Sequence, residues 1–169
     1  MASLYDQSIP VFIKYLQGFS AMIDKAVTFA DEKGTSHDDL LSYRLVPDQR
    51  PLTYQVQSCC NTLVWFIDRA SSREHVAIAD DETTIAQLKA RIDRTVEYAK
   101  SVDETELNNG PIMMLDRFYF PSAQTYLSEF AIPNFHFHLS TGYCILRTQG
   151  VPLGAMDYMA NVFQPSPEA

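Results

Sequence analysis

Glycine is scarce in this chain. Six glycines in 169 residues are too few for a fold built from many tight β-turns. Cysteine is scarcer: Cys59, Cys60 and Cys144 form an odd set with an adjacent pair, which is not a disulfide framework. Long apolar runs are missing. No segment approaches the roughly 20 apolar residues of a bilayer span, so no membrane partner is expected. Met1-Ala2-Ser3-Leu4-Tyr5-Asp6 has no basic start, and Asp6, Gln7 and Lys14 interrupt the apolar residues that follow, unlike a secretory leader. These absences together point to a reducing, cytoplasmic setting. Basic charge is also in deficit: 13 Lys and Arg against 21 Asp and Glu give a net charge of −8. An acidic surface repels phosphate backbones, so nucleic acid is excluded as an expected partner. Arg44, Arg50, Arg69 and Arg73 are scattered and read as solvated. The chain has no glycine-rich phosphate loop, no Cys-x-x-Cys, no His-Glu-x-x-His and no Gly-x-Ser-x-Gly, which removes the commonest signatures of nucleotide, redox, zinc and serine-hydrolase chemistry.

What is present is helical periodicity. Hydrophobic residues make up 46% and charged residues 20%, an ordinary globular balance. Phe12, Leu16, Phe19, Ile23, Ala26 and Ala30 recur at steps of three and four, which places them on one helix face. Pro10 suits a first helical turn; alternatively Ser3 and Asp6 form an earlier cap and Pro10 lies inside the helix. Lys33-Gly34 reads as the stop. Ser36 to Leu41 reads as one short turn within a long connection, with Pro47 and Pro51 as punctuation. A second long helix carries Leu52, Val56, Cys59, Cys60, Leu63, Phe66, Ile67 and Ala70. A third carries Ile85, Leu88, Ile92, Val96, Ala99 and Val102, with Asp81 or Thr83 as the expected cap. Residues 112–115 and 117–120 flank a reversal at Asp116 that can form a small β-hairpin. Pro121-Ser122 opens the last long helix, which runs to Gln149, stops at Gly150-Val151-Pro152 and should be kinked by Pro133. Four amphipathic rods of similar length bury their stripes side by side. The fold class is therefore all-α: a four-helix bundle with a long crossover connection, forming one domain over 1–160 with a flexible tail at 161–169.

The densest group of polar candidates is Asn134-Phe135-His136-Phe137-His138. On a helix each residue turns the chain by about 100°, so the two histidines point about 200° apart and cannot share one metal. His138 pairs instead with Asn134 before it and Thr141 and Gly142 after it, and the small Gly142 leaves space beside the imidazole. The bland reading is a core histidine bonded to a neighbour; the sharper one is acid–base work or metal ligation, because imidazole titrates near neutrality. Gln55 and Gln57 lie two positions apart, so only one is expected inside, while Tyr43 and Arg44 reach the same region from the preceding loop. His37 and His75 lie in connections and read as solvated. The three cysteines fall on apolar stripes and read as small hydrophobes.

Several blocks resemble a family known only as a domain of unknown function within the DinB-like superfamily. They are Ser3-Leu4-Tyr5-Asp6 with Pro10-Val11-Phe12, Arg44-Leu45-Val46-Pro47-Asp48 with Pro51-Leu52 and Gln55-Val56-Gln57, and above all Pro133-Asn134-Phe135-His136-Phe137-His138 followed by Thr141, Tyr143, Ile145-Leu146-Arg147 and Gly150-Val151-Pro152-Leu153-Gly154. The resemblance implies a four-helix bundle, often dimeric, with relatives that are metal-dependent thiol transferases or a thiol-dependent isomerase. Their metal sits on one histidine of the second long helix and a His-x-x-x-His pair of the last. On that pattern His138 matches the second histidine of the pair, Asn134 the first, and Gln55 or Gln57 the remaining position. One imidazole and two amides coordinate a divalent transition ion weakly, so no metal or other cofactor is expected. The expectation is a small-molecule ligand held by His138, Asn134, Gln55, Gln57, Tyr43, Arg44 and Thr141, with metal-free acid–base chemistry at His138. The alternatives are a metal-dependent transferase or isomerase, or a non-catalytic homodimer. Apolar residues at 112–120, beyond what four helices cover, favour a homodimer.

Overall fold

The computed structural model describes residues 2–71, 73–75 and 77–163. Four long helices form the frame: α1 (Leu4–Lys33), α3 (Leu52–Ser71), α4 (Ile85–Lys100) and α6 (Ile132–Thr148). A short α2 (His37–Ser42) lies in the first connection, α5 (Ala123–Tyr126) leads into α6, and α7 (Ala155–Tyr158) follows it. The expected tail over 164–169 lies outside the described residues; before it, the Asn161 amide donates to the Lys14 carbonyl at 3.3 Å.

Local chemistry sets the helix ends. Ser3 caps α1 in a reciprocal box with Asp6, so Pro10 lies inside the helix. A box of this kind satisfies two otherwise unpaired backbone donors. Gly34 closes α1 with φ at 68°, a left-handed conformation that glycine adopts without strain. The cap of α4 is Thr84, boxed with Gln87, rather than Asp81 or Thr83. Only at Thr84 does the box partner fall on a side chain that can reach back, and the Gln87 amide oxygen also accepts the backbone N–H of Thr83 at 2.8 Å.

Pro133 is accommodated without a break. Residues Leu127–Ala131 form a π-helical turn, and the Ile132 N–H bonds the Leu127 carbonyl five residues back. Proline has no N–H to give; widening the preceding turn shifts the carbonyl pairing and lets the chain run on into α6. The expected hairpin is present: β1 (Ile112–Met114) pairs antiparallel with β2 (Phe118–Phe120), with Ile112 opposite Phe120. Leu115 and Asp116 both have positive φ, the backbone of a tight reversal between strands.

The core is one contiguous cluster. Phe12, Leu16, Phe19 and Ile23 from α1 meet Cys59, Leu63 and Phe66 from α3, Leu88 and Ile92 from α4, and Phe135, Leu139 and Ile145 from α6. Gly142 on α6 is required here: a Cβ built on it would lie 2.4 Å from Cζ of Phe19. The space beside Gly142 is therefore filled by the Phe19 ring and is not open to the His138 imidazole. No described helix is long and apolar enough to cross a membrane.

Candidate functional site

The two histidines of α6 face opposite sides. The Nδ1 atom of His136 lies 2.9 Å from the hydroxyl of Tyr158 on α7, and its ring packs edge-on to Tyr15 of α1. His138 turns instead to α3, where its Nδ1 lies 2.8 Å from Oε1 of Gln55. Burial lowers the imidazole pKa of both below the ordinary value, since desolvation disfavours the charged ring.

The bond to Gln55 fixes more than position. The Gln55 amide nitrogen donates to the Arg50 backbone carbonyl at 2.8 Å. A carbonyl can only accept, so the amide cannot be flipped, and its oxygen must face His138. That oxygen can also only accept, so the proton sits on Nδ1 of His138 and the lone pair on Nε2. None of the described residues hydrogen-bonds Nε2, and it is not among the sealed, partnerless polar atoms, so Nε2 reaches the surface as an unprotonated acceptor. Tyr54 packs edge-on to the ring, with centroids 5.7 Å apart.

Asn134 lies one turn earlier on the same face. Its amide nitrogen donates to the Thr62 hydroxyl at 2.8 Å, and Thr62 passes its own proton to the Ser58 carbonyl at 2.7 Å. The Asn134 carbonyl oxygen is left without a partner among the described residues. The α6 face thus presents two acceptors, His138 Nε2 and Asn134 Oδ1, from residues about 6 Å apart along the helix.

The other expected residues separate into two groups. Gln57 is buried like Gln55, contrary to the expectation that only one would be inside. It points away from His138 and donates to Glu82 at 2.9 Å. Two inward glutamines are possible because α3 is covered on one side by α6 and on the other by the segment leading into α4. Arg44 donates to the Gln49 carbonyl at 2.7 Å and, with Arg50, Tyr54 and Gln57, lines a cavity of about 370 Å³. Thr141 is buried and its hydroxyl makes no hydrogen bond among the described residues. Tyr43 closes α2 through its backbone, and its side chain is exposed. Neither His138 nor Asn134 lines any of the best-defined cavities among the described residues; the pair opens directly on the surface.

The metal of the resembling relatives finds no matching donor set. One imidazole remains, its Nδ1 is committed to Gln55, and the Asn134 amide nitrogen is committed to Thr62. Among the described residues no group of three His, Cys, Asp or Glu could hold an ion. The cysteines offer no nucleophile to His138 either. Cys59 donates its thiol to the Phe135 carbonyl, burial pushes the Cys60 thiol up to about 11, and Cys144 is exposed rather than on an apolar stripe.

Sequence reasoning missed a buried charge network beside α3. Arg91 is 1% exposed and binds Glu82 at 2.8 Å and Asp80 at 2.8 Å. Desolvation alone would raise the Glu82 pKa, but hydrogen bonds from Arg91 and Gln57 outweigh it and hold the carboxyl below its ordinary value. His75 is not simply solvated: its Nδ1 lies 2.8 Å from Oδ2 of the buried Asp68. Nor is Arg73, which forks onto Glu106 at 2.6 and 2.7 Å. A charged residue at helical spacing from apolar neighbours, as Asp68 stands four residues after Val64 and Arg91 three after Leu88, is the signal the sequence offers.

This architecture, four long helices with the last carrying the polar site toward the second, is that of a DinB-like bundle. A crystal structure of a DinB family member protein from Shewanella denitrificans superposes with a TM-score of 0.88 at 34% identity, covering 97% of this chain and 93% of that one. The family model described as Domain of unknown function (DUF1993) matches residues 4–159, and the chain belongs to that family. A search of curated proteins finds no match.

Proposed function

We propose that this protein binds a small molecule bearing hydrogen-bond donors at the α6 face and that His138 acts there as a metal-free base through Nε2. The observation that carries this reading is the relay from the Arg50 carbonyl through Gln55 to His138. A histidine used only as core filler has no need of a second residue that fixes its tautomer and leaves the basic nitrogen facing out. General bases need a proton acceptor within reach of the ligand and free at working pH, and burial lowers the pKa of this ring, which favours its neutral form. Asn134 Oδ1 supplies a second acceptor for a hydroxyl, thiol or amine on the ligand. The neighbouring cavity with Arg44 and Tyr54 has room for the rest of it.

The test is a thermal-shift and NMR screen of small alcohols, thiols and amines against the wild type and His138→Gln. Hits should perturb the His138 ring signals and be lost in the variant, whose melting temperature should stay within about 3 °C of wild type. Hits that persist undiminished in the variant would sink the reading. Elemental analysis of protein prepared without metal columns should find well under one zinc or nickel per chain. About one ion per chain, lost with a drop in melting temperature on chelation, would restore the metal-dependent alternative.

A homodimer is supported by a separate observation. Met113, Leu115, Phe118 and Tyr119 of the hairpin are all exposed, and apolar patches of this kind favour association. Light scattering that gives a monomer mass at micromolar concentration removes it.

A further inference from the structure

A cavity among the described residues lies away from His138, between α3, α4 and the segment that joins them. It holds about 520 Å³, within the roughly 300–1,000 Å³ of small-molecule sites. Val64, Ile78 and the Tyr98 ring give it apolar walls. The connection from Ser71 to Ile85 that borders it has no helix or strand among its described residues.

One polar group in this lining is out of balance. Asp68 is 5% exposed, and among the described residues its oxygens meet the Tyr98 hydroxyl and His75 Nδ1. No lysine or arginine among the described residues pairs with this carboxylate as a counter-charge. A buried charge without one is costly and is best completed by an opposite charge. The nearby guanidiniums are already committed. Arg73 is forked onto Glu106, and Arg91 is held by Glu82 and Asp80. Arg94, mostly exposed, stands 3.9 Å from Glu82. Glu74 also lines the cavity and makes no ion pair among the described residues. Two carboxylates, Asp68 and Glu74, and three guanidiniums line the chamber, and those guanidiniums are turned to Glu106, Asp80 and Glu82, which lie outside the lining.

We propose that this cavity is a second binding site, for a small protonated amine with an apolar or aromatic body, whose ammonium group pairs with Asp68 while the body lies against Val64, Ile78 and Tyr98. Glu74 adds a second negative charge at the rim. The site shares no lining residue with the α6 face and stands independently of the function proposed there.

The experiment is calorimetric titration with three probes of matched size: 2-phenylethylamine, 2-phenylethanol and 3-phenylpropionate. The amine should bind saturably and at least about tenfold more tightly than the other two. Asp68→Asn, which keeps shape and removes charge, should weaken the amine by at least about tenfold. Val64→Phe, which fills the chamber from its wall and leaves the carboxylate intact, should abolish binding and serves should the Asp68 variant fail to fold. Equal binding of the alcohol or the acid, no saturable binding of the amine at millimolar concentration, or amine binding retained by both cavity variants would each overturn the proposal.

Discussion

Replacing Gln55 by leucine tests the tautomer relay directly. The side chain is 1% exposed and makes two hydrogen bonds, each 2.8 Å long, one from His138 and one to the Arg50 carbonyl. Leucine fills nearly the same volume and makes neither. Each intramolecular hydrogen bond contributes about 1 kcal/mol net. The abandoned groups, His138 Nδ1 and the Arg50 carbonyl, are only part-buried and can recover water in place of their lost partner. The loss should therefore be about 1–2 kcal/mol, which for a domain of this size is a fall of roughly 2–8 °C in melting temperature. Stability alone does not identify the relay, because any buried glutamine would give a similar figure. The decisive readout is multiple-bond nitrogen–proton NMR of the imidazoles at about pH 8, where the rings are neutral. In the wild type His138 should show the proton on Nδ1. In Gln55→Leu the ring should shift toward the Nε2-protonated form, while His136, bonded to Tyr158 on the other side of α6, should not change. A wild-type spectrum with the proton on Nε2, or an unchanged His138 pattern in the variant, refutes the hydrogen-bond logic and the base assignment built on it.

Removing the Glu82 carboxylate by Glu82→Ala should destabilise the fold by about 3 kcal/mol, the lower end for breaking a buried pair, because Arg91 keeps Asp80 and the Asn61 side-chain oxygen; urea unfolding measures it. Gly142→Ala should cost about 1–3 kcal/mol through overpacking, since the new methyl meets the fully buried Phe19 ring, and the pair Gly142→Ala with Phe19→Leu should recover part of that in the same assay. Stability should fall on acidification in two stages. The depressed folded pKa of His138 and His136 means the unfolded chain takes up protons first, so their contribution is lost as pH drops below about 6.5 toward the folded values. That of Glu82 is present above its ordinary 4.5 and is lost as pH falls through its lowered folded value. In His138→Gln the first stage should shrink while the second stays.

The fold is legible in the sequence because its determinants repeat. A stripe such as Phe12, Leu16, Phe19 and Ile23 states its helix several times over, and one atypical residue does not erase it. Helix ends are less legible where one residue decides them. Thr84 caps α4 because Gln87 lies three residues on, whereas Asp81 and Thr83 are equally plausible oxygens by type alone. Pro133 signals a disturbance by its chemistry, but whether a proline kinks a helix or is absorbed by a widened turn depends on packing on both sides of Leu127–Ala131. The helical phase of α6 separates His136 from His138 from sequence alone, since a fixed angle per residue is all that requires. Which glutamine His138 meets is not readable there. It depends on the rotation of α3 about its axis, fixed where Cys59 meets the Phe135 carbonyl and Phe66 and Phe135 both pack on Phe12. The charge network is invisible for a different reason: Arg91 and Glu82 become interpretable only when the segment before α4 folds against both α4 and α3, where Gln57 also meets Glu82.

The amides of this site also carry an argument of their own. An imidazole at the Gln55 position would offer His138 a second aromatic nitrogen, which could accept or donate according to its own tautomer, and the proton on His138 would be free to move. Glutamine removes that freedom, because its oxygen only accepts and its nitrogen is held by the Arg50 carbonyl. The same holds one turn away, where Thr62 fixes which end of Asn134 faces outward. Oriented amides at Gln55 and Asn134 leave two acceptors of fixed direction, His138 Nε2 and Asn134 Oδ1, on one helix face. On the function proposed here such a face should select ligands that bring protons with them, and a ligand lacking a donor group, however well its shape fits beside Tyr54, should gain nothing from His138.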